Sequence, residues 1–179
     1  MSTTSRRALA VPAILTLATV AATAPASADD LGLLVRSSGP LSDLQVAATG
    51  PFDGASATFQ LVGSAQGSHG LLRVTGIGAS ADGDTFGAHL HVGPCVAGNG
   101  AAAGGHYNTD VEAGILPPEI SEDTEMWLDI TVDDGAATAT ASVPFVPDAG
   151  IRSVVIHAQA TDHHTGLAGA RLACLPVVW

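Results

Sequence analysis

The stretch MWLDITVDDGAATATASV, residues 126–143, carries two β-prone runs on either side of Asp133-Asp134-Gly135. Val, Ile, Thr and Trp favour strands, and Asp-Gly between two such runs is a strong signal for a tight hairpin turn. The stretch therefore predicts two antiparallel strands, Met126–Val132 and Ala137–Val143, joined by that turn.

Short apolar runs of the same kind recur along the chain, bounded by Gly, Asp, Asn and Pro, without helical periodicity. Eight strands at this spacing predict an all-β fold, either an antiparallel sandwich or a Greek-key barrel. One irregular stretch, residues 93–125, interrupts them, and a loop of that length is usually functional. The other six predicted strands are Leu44–Ala48, Ala57–Val62, Gly70–Ile77, Thr85–Val92, Arg152–Gln159 and Ala170–Val178.

Composition fits one domain with an aliphatic core. The 179 residues are 46% hydrophobic, yet only 4% are aromatic and 13% charged, so Ala, Val, Leu and Ile must fill the interior. Acidic residues number 17 against six Arg and no Lys, which gives a formal net charge of −11. This charge repels phosphate backbones and anionic lipids, and we expect no nucleic-acid partner.

The N-terminus has the pattern of an export signal. Arg6-Arg7 precede an apolar run from Ala8 to Ala24, and Ala26-Ser27-Ala28 supplies small residues for cleavage after Ala28. Arg6-Arg7 are compatible with general secretory export and, more loosely, with twin-arginine export. We expect residues 1–28 to be a signal peptide and residues 29–179 to be the mature domain, with no membrane span. The expected location is secreted, periplasmic or in the cell envelope.

Histidines are the candidate metal ligands. His89 and His91 are two apart in a predicted strand and so face the same side, while Leu90 faces the core. Converging imidazoles suit copper or zinc, although solvated surface histidines also show this spacing. His106 lies in the long loop and His157 ends a strand.

The two cysteines complete this set of candidate residues. Cys95 and Cys174 are the only ones in the chain, and in an exported protein they are expected to form a disulfide that ties the long loop to the last strand.

Four segments in this order resemble the copper/zinc superoxide dismutase family. Gly87-Ala88-His89-Leu90-His91 resembles its paired-histidine strand, and Ala103–Asn108 resembles the segment that bears its metal-bridging histidine. Arg152–His157 resembles the strand with the last copper ligand, and Gly169–Cys174 resembles the segment with the active-site arginine and the second disulfide cysteine. The resemblance spans about residues 40 to 178.

The resemblance implies an eight-stranded antiparallel Greek-key β-barrel with one long metal-site loop. It implies that His89, His91, His106 and His157 hold copper and that Arg171 positions superoxide, which is converted to O₂ and H₂O₂. The competing interpretation is a non-enzymatic exported β-barrel that binds copper or has a structural role.

The sequence departs from the family at the zinc site. Family members hold zinc with the bridging histidine, two further histidines and an Asp, but no His occurs between His106 and His157. Carboxylates with one imidazole make a poor zinc site, so we expect zinc to be absent, as in the copper-only branch of the family. The loop between His157 and Arg171 is also shorter than the family's guidance loop.

A carboxylate is expected in place of zinc. Glu122-Asp123-Thr124-Glu125 falls where the family's last zinc ligands lie, and a carboxylate there could accept the N–H of His106. Glu125 is the first candidate and Glu122 the second, the alternative being a solvated loop. His163-His164 are either extra ligands or solvated, and Asp82 and Asp84 either support the site or are exposed turn acids. His69 is expected in a turn.

Overall fold

The computed structural model describes residue 1, residues 32–45 and residues 49–179. The predicted signal peptide, residues 1–28, lies outside the described residues apart from Met1. None of the helices in the described part has the length and apolar character that a membrane crossing needs.

Strands dominate the described residues, and the predicted all-β class is confirmed. One short helix, α1 (Thr109–Glu112), and two 3₁₀ turns, Ala79–Ala81 and Gly100–Ala103, lie between them. The strands in chain order are β1 (Leu34–Pro40), β2 (Ser42–Asp43), β3 (Ser56–Ser64), β4 (Gly67–Thr75), β5 (Thr85–Phe86), β6 (Ala88–His91), β7 (Ile130–Thr131), β8 (Ala136–Val143), β9 (Ile151–His157) and β10 (Arg171–Val178).

The strands form two four-stranded sheets and one short ribbon, all antiparallel. One sheet has the order β1-β3-β4-β8, the other has the order β2-β10-β9-β6, and β5 pairs with β7. In β3, Phe59 and Leu61 are buried while Gln60 between them is more exposed, so the period-two pattern of the sequence marks the inner face. Leu90, Ile156 and Leu175 of the second sheet belong to the same core.

The predicted strands differ from the observed ones at several places. Leu44 and Gln45 lie just after β2, outside any strand, and residues 46–48 lie outside the described residues. Met126–Val132 contracts to Ile130–Thr131, and Thr85–Val92 divides at Gly87 into β5 and β6. The division has a physical cause, because the backbone of Gly87 bonds to Gln159 and His157 instead of continuing one ladder.

The predicted turn at Asp133-Asp134-Gly135 is present, but its flanking strands part after it. Asp133 and Ala136 exchange two backbone hydrogen bonds, and Asp134 and Gly135 both have positive φ, as a tight hairpin turn requires. Beyond the turn β7 pairs with β5 and β8 pairs with β4. The chain therefore passes here from the ribbon to the first sheet.

The long segment 93–125 is folded onto the second sheet. Asn108 caps α1, because its side-chain oxygen accepts hydrogen bonds from the backbone N–H groups of Asp110 and Val111. Backbone bridges join His106 to His91 and Glu125 to Asn108. These contacts bring the middle of the loop to β6 and the end of the loop to its middle.

Candidate metal centre

Strand β6 supplies two imidazoles on one face. His89 and His91 are both fully buried, and Leu90 between them packs into the core as the alternation predicts. Their strand is held in register by β9, where His89 lies opposite Val155 and His91 lies opposite Ser153.

Two more histidines reach the same point from other elements. His106 comes from the long loop through its bridge to His91, and His157 is the last residue of β9. One ring nitrogen from each of the four histidines lies within 4.8 Å of the others, and the Nε2 atoms of His91 and His157 are 3.2 Å apart. The structure thus brings together all four histidines that the sequence proposed as ligands.

Each of these rings has a nitrogen turned away from the cluster that meets an oxygen. The Nδ1 of His91 lies 3.2 Å from the carbonyl oxygen of Gly104, and the Nδ1 of His157 lies 3.2 Å from that of Gly169. The Nδ1 of His106 lies 2.7 Å from the Oε2 of Glu125. Such contacts orient a metal-binding imidazole and select the nitrogen left for the metal.

His89 is arranged in the opposite sense. Its Nε2 lies 2.7 Å from the hydroxyl of Thr161, and its Nδ1 is buried with no hydrogen-bond partner. A buried imidazole nitrogen without a partner is costly unless a ligand satisfies it. The unpartnered Nδ1 of His89 therefore favours a metal bound at this site.

His89, His91 and His157 are disposed to stay neutral. Burial, together with the neighbouring imidazoles, lowers the pKa of His91 to about 2, and burial is the main cause that lowers the pKa of His157 to about 4. Burial and its neighbours likewise hold the pKa of His89 well below its usual value. A metal binds the unprotonated ring, and four nitrogen donors suit copper. The residues present therefore fit a copper ion.

Glu125 is the carboxylate that meets the cluster. It is 3% exposed, and its Oε2 accepts hydrogen bonds from His106 and from the indole N–H of Trp127, while Asn108 donates to its Oε1. Burial alone would raise the pKa of Glu125, but these three hydrogen bonds outweigh it and lower the pKa. A buried anion thus faces the outer nitrogen of His106.

Glu122 lies elsewhere. Its side chain is 69% exposed, and its nearest charged partner is the exposed His163, with 3.7 Å between Oε1 and Nδ1. Of the two candidates from the sequence, the structure brings only Glu125 to His106.

Arg171 lies at the edge of the cluster, where β10 begins opposite His157. Its guanidinium donates hydrogen bonds to the carbonyl oxygens of Gly100 at 2.5 Å and Gly104 at 2.6 Å. Partial burial lowers the pKa of Arg171, but a guanidinium stays charged at neutral pH. Because the carbonyl of Gly104 also contacts His91, one peptide group links the arginine to the cluster.

The disulfide between Cys95 and Cys174 is present. Cys174 is fully buried and packs with Leu44, Ala103 and Val155, and Cys95 packs against this group. The bond fixes the start of the long loop, from which the two carbonyls that hold Arg171 project. A structural disulfide indicates an oxidising, extracytoplasmic environment.

The remaining candidates from the sequence lie outside the cluster. His163 and His164 are exposed, and His163 contacts the edge of Trp127. His69 lies within β4 and contacts Ser142, so its prediction as a turn residue was wrong. The Oδ1 of Asp82 accepts a hydrogen bond from the backbone N–H of Asp134, so Asp82 supports the hairpin turn and not the histidine cluster.

Four residues at the site escaped the sequence reasoning: Asn108, Trp127, Asp129 and Thr161. Asn108 and Trp127 contact Glu125, while Asp129 and Thr161 lie behind His89. Asn108 ends one of the segments that resemble the family, but the sequence does not mark its contact with Glu125. No motif of the sequence marks the other three. The one available signal was a hydroxyl residue in the short segment between His157 and Arg171.

An antiparallel β-sandwich in which four imidazoles converge, three of them buried, has the arrangement of a metal-binding β-protein. The sequence model of the family described as copper/zinc superoxide dismutase (SODC) matches residues 55–176, more than half of the chain. The chain therefore belongs to the copper/zinc superoxide dismutase family, and the matched region contains the four histidines, Arg171 and both cysteines. No curated protein matches the sequence. Membership implies the oxidoreductase activity of that family.

Proposed function

We propose that the protein is an exported, copper-dependent superoxide dismutase that converts superoxide to O₂ and H₂O₂. The observation that carries the proposal is the cluster of four histidines, three buried and one partly buried, in which the Nδ1 of His89 has no hydrogen-bond partner within the described residues. His89, His91, His106 and His157 would hold the copper. Bound copper supplies one-electron chemistry, in which one superoxide gives up an electron to yield O₂ and a second gains it and, with two protons, yields H₂O₂.

Arg171 would attract and orient the anion. Its two hydrogen bonds to backbone carbonyls hold the guanidinium beside His91 and His157, and its charge is one of those that lower the pKa of both histidines. With a formal net charge of −11 on the whole chain, long-range attraction of superoxide is unfavourable. Capture would therefore depend on this local positive charge.

The contact between Glu125 and His106 supports a site that uses copper alone. Zinc in this family binds the outer nitrogen of the bridging histidine, and in this chain a buried carboxylate already meets that nitrogen. Within residues 32–45 and 49–179, the four-histidine cluster is the one group of metal-ligating side chains close enough to hold an ion. We propose that Glu125 orients His106 and fixes the position of its proton, as zinc otherwise would.

We further propose that residues 1–28 are removed on export and that residues 29–179 form the mature domain, a closed eight-stranded Greek-key β-barrel. The disulfide and its extracytoplasmic setting support export to the cell envelope or beyond.

The competing function is copper binding without catalysis. Arg171 favours catalysis over copper storage. A positive guanidinium beside a bound copper ion would repel the ion and serve no purpose in storage, whereas it would attract superoxide in catalysis. The deciding experiment is a stopped-flow assay of superoxide decay with metal-free, copper-loaded and zinc-loaded protein. We expect only the copper-loaded form to accelerate superoxide decay. Stoichiometric copper binding without faster superoxide decay would instead support copper binding without catalysis.

A further inference from the structure

A chain of two hydrogen bonds runs from His89 to a carboxylate on a different loop. The Nε2 of His89 lies 2.7 Å from the Oγ1 of Thr161, which lies 2.5 Å from the Oδ1 of Asp129. The backbone N–H of Thr161 also donates to the Oδ2 of Asp129 at 2.8 Å. His89 and Thr161 are buried, so water does not substitute for these contacts.

The direction of each hydrogen bond follows from the groups involved. The carboxylate of Asp129 accepts from the Thr161 backbone, and two acceptor oxygens at 2.5 Å would repel each other without a hydrogen between them. The hydroxyl hydrogen of Thr161 must therefore point to Asp129. The only remaining role for Oγ1 toward His89 is that of acceptor, so the Nε2 of His89 carries the proton.

This direction decides which nitrogen of His89 is free. A neutral imidazole has one N–H and one lone pair, and with the hydrogen on Nε2 the lone pair is on Nδ1. Nδ1 is the buried atom without a partner. The other three rings have their Nδ1 turned to an outer oxygen. In His89 it is Nε2 that meets an outer oxygen, that of Thr161, and Nδ1 that faces the cluster.

We propose that Thr161 and Asp129 are positioning residues that hold His89 in its Nε2–H tautomer and so make Nδ1 the atom that binds copper. The inference rests on the proposed copper site for its purpose, but the tautomer itself is a property of the metal-free protein.

Gly87 allows Thr161 to come this close. A Cβ atom on Gly87 would lie 2.8 Å from the Oγ1 of Thr161 and 2.6 Å from the Cβ of Ala168. Contacts this short would push the loop away from His89, so the glycine beside the paired histidines is part of the same arrangement.

The test is the protonation pattern of the His89 ring in metal-free protein, read from ¹⁵N–¹H correlations of the side chain. The wild-type protein should show the Nε2–H tautomer. In Asp129→Asn, the amide oxygen should face the backbone N–H of Thr161, which is 2.8 Å from Oδ2, because the competing backbone N–H of Ala88 is 3.4 Å from Oδ1. The NH₂ group then faces Oγ1. The hydroxyl then donates to Nε2, and the proton should move to Nδ1.

Two substitutions at Thr161 support this test without altering a carboxylate. Thr161→Val removes the hydroxyl and should yield a mixture of tautomers, whereas Thr161→Ser should restore the Nε2–H form. Thr165→Val is the matched control, because Thr165 lies in the same loop but is exposed and has no contact with His89.

Copper affinity, measured by competition with a chromophoric chelator, tests whether the tautomer of His89 affects copper binding. Asp129→Asn and Thr161→Val should bind copper about 10- to 100-fold more weakly, the usual effect of losing the partner of a ligating histidine. An Nε2–H tautomer that persists in Asp129→Asn would overturn the inference. A shifted tautomer with unchanged affinity would overturn the assignment of Nδ1 as the copper-binding atom. If wild-type protein binds no copper, the proposed function fails while the tautomer is still decided by the spectra.

Discussion

The Oε2 atom of Glu125 lies 2.7 Å from the Nδ1 of His106, and the same oxygen accepts a hydrogen bond from the indole of Trp127 at 2.8 Å. Both contacts are buried from solvent on the side of the carboxylate. A carboxylate of the protein therefore lies at the outer nitrogen of His106, the member of the histidine cluster that the long loop supplies.

Replacement of Glu125 by Gln should weaken copper binding and turnover by about 10- to 100-fold. The carboxylate accepts hydrogen bonds at both oxygens, from His106 and Trp127 at one and from Asn108 at the other. The amide of Gln has only one acceptor oxygen, and its other end is an NH₂ donor. Whichever way the amide is turned, its NH₂ group faces a hydrogen-bond donor of a neighbouring residue. Copper affinity and superoxide decay measure the effect.

Glu122→Gln is the matched control, because Glu122 is an exposed carboxylate three residues away. It should behave as the wild-type protein. Equal effects of the two substitutions would show that general charge, and not the contact with His106, governs the site.

Replacement of Arg171 by Ala should leave copper bound and slow superoxide decay by about 10- to 100-fold, the range expected when a charged hydrogen-bonding group is lost. The four histidines are untouched by this change, whereas the local cation is removed. Arg73→Ala, at an exposed position of β4 in the other sheet, is the control and should retain the rate. A full rate in Arg171→Ala would assign Arg171 to loop structure alone.

Much of the fold could be predicted because apolar and polar residues alternate clearly along a strand that has one buried face. Phe59 and Leu61 or Leu72 and Val74 show this pattern, and their strands were predicted within a few residues. Strand β1 was missed because LVRSSGP contains a single buried residue, Val35, and lies at the edge of its sheet. Its pairing with β3 holds it in place, which local sequence does not reveal.

The sequence also located the histidine cluster, since three of its histidines lie in or at the end of strands and the fourth follows a glycine pair. It missed the groups that orient those histidines. Thr161 and Asp129 are 32 residues apart and meet only after the loops pack. Gly104 and Gly169 act through backbone carbonyls, which leave no signature in side-chain identity.

Loss of the disulfide should lower the free energy of unfolding by about 2–4 kcal/mol, because the bond closes a long loop in the unfolded chain. The two cysteines are 79 residues apart. Denaturation of metal-free protein with and without reductant measures this change. The Cys95→Ala, Cys174→Ala double variant should match the reduced protein and be insensitive to reductant. An unchanged midpoint on reduction would contradict the expectation.

Metal-free protein should lose stability as pH falls below about 6.5, the pKa of a histidine in an unfolded chain. Burial lowers the folded pKa of His157 to about 4 and that of His91 to about 2, so unfolding takes up protons in this interval and stability rises with pH. Each such histidine contributes about 1.4 kcal/mol per pH unit between the two pKa values. Urea denaturation at several pH values measures the slope.

His157→Gln should reduce that slope by the share of one histidine. A stability that is constant between pH 7 and pH 5 would show that the folded and unfolded chains bind the same number of protons, and would contradict the lowered pKa values of His91 and His157.

The most direct test of a copper site without zinc is elemental analysis of purified protein after exposure to equal concentrations of the two metals. The four imidazoles and the carboxylate at the outer nitrogen of His106 predict one copper per chain and negligible zinc. Stoichiometric zinc beside copper would contradict the account, because it would require a set of zinc ligands that includes the outer nitrogen of His106, which Glu125 contacts.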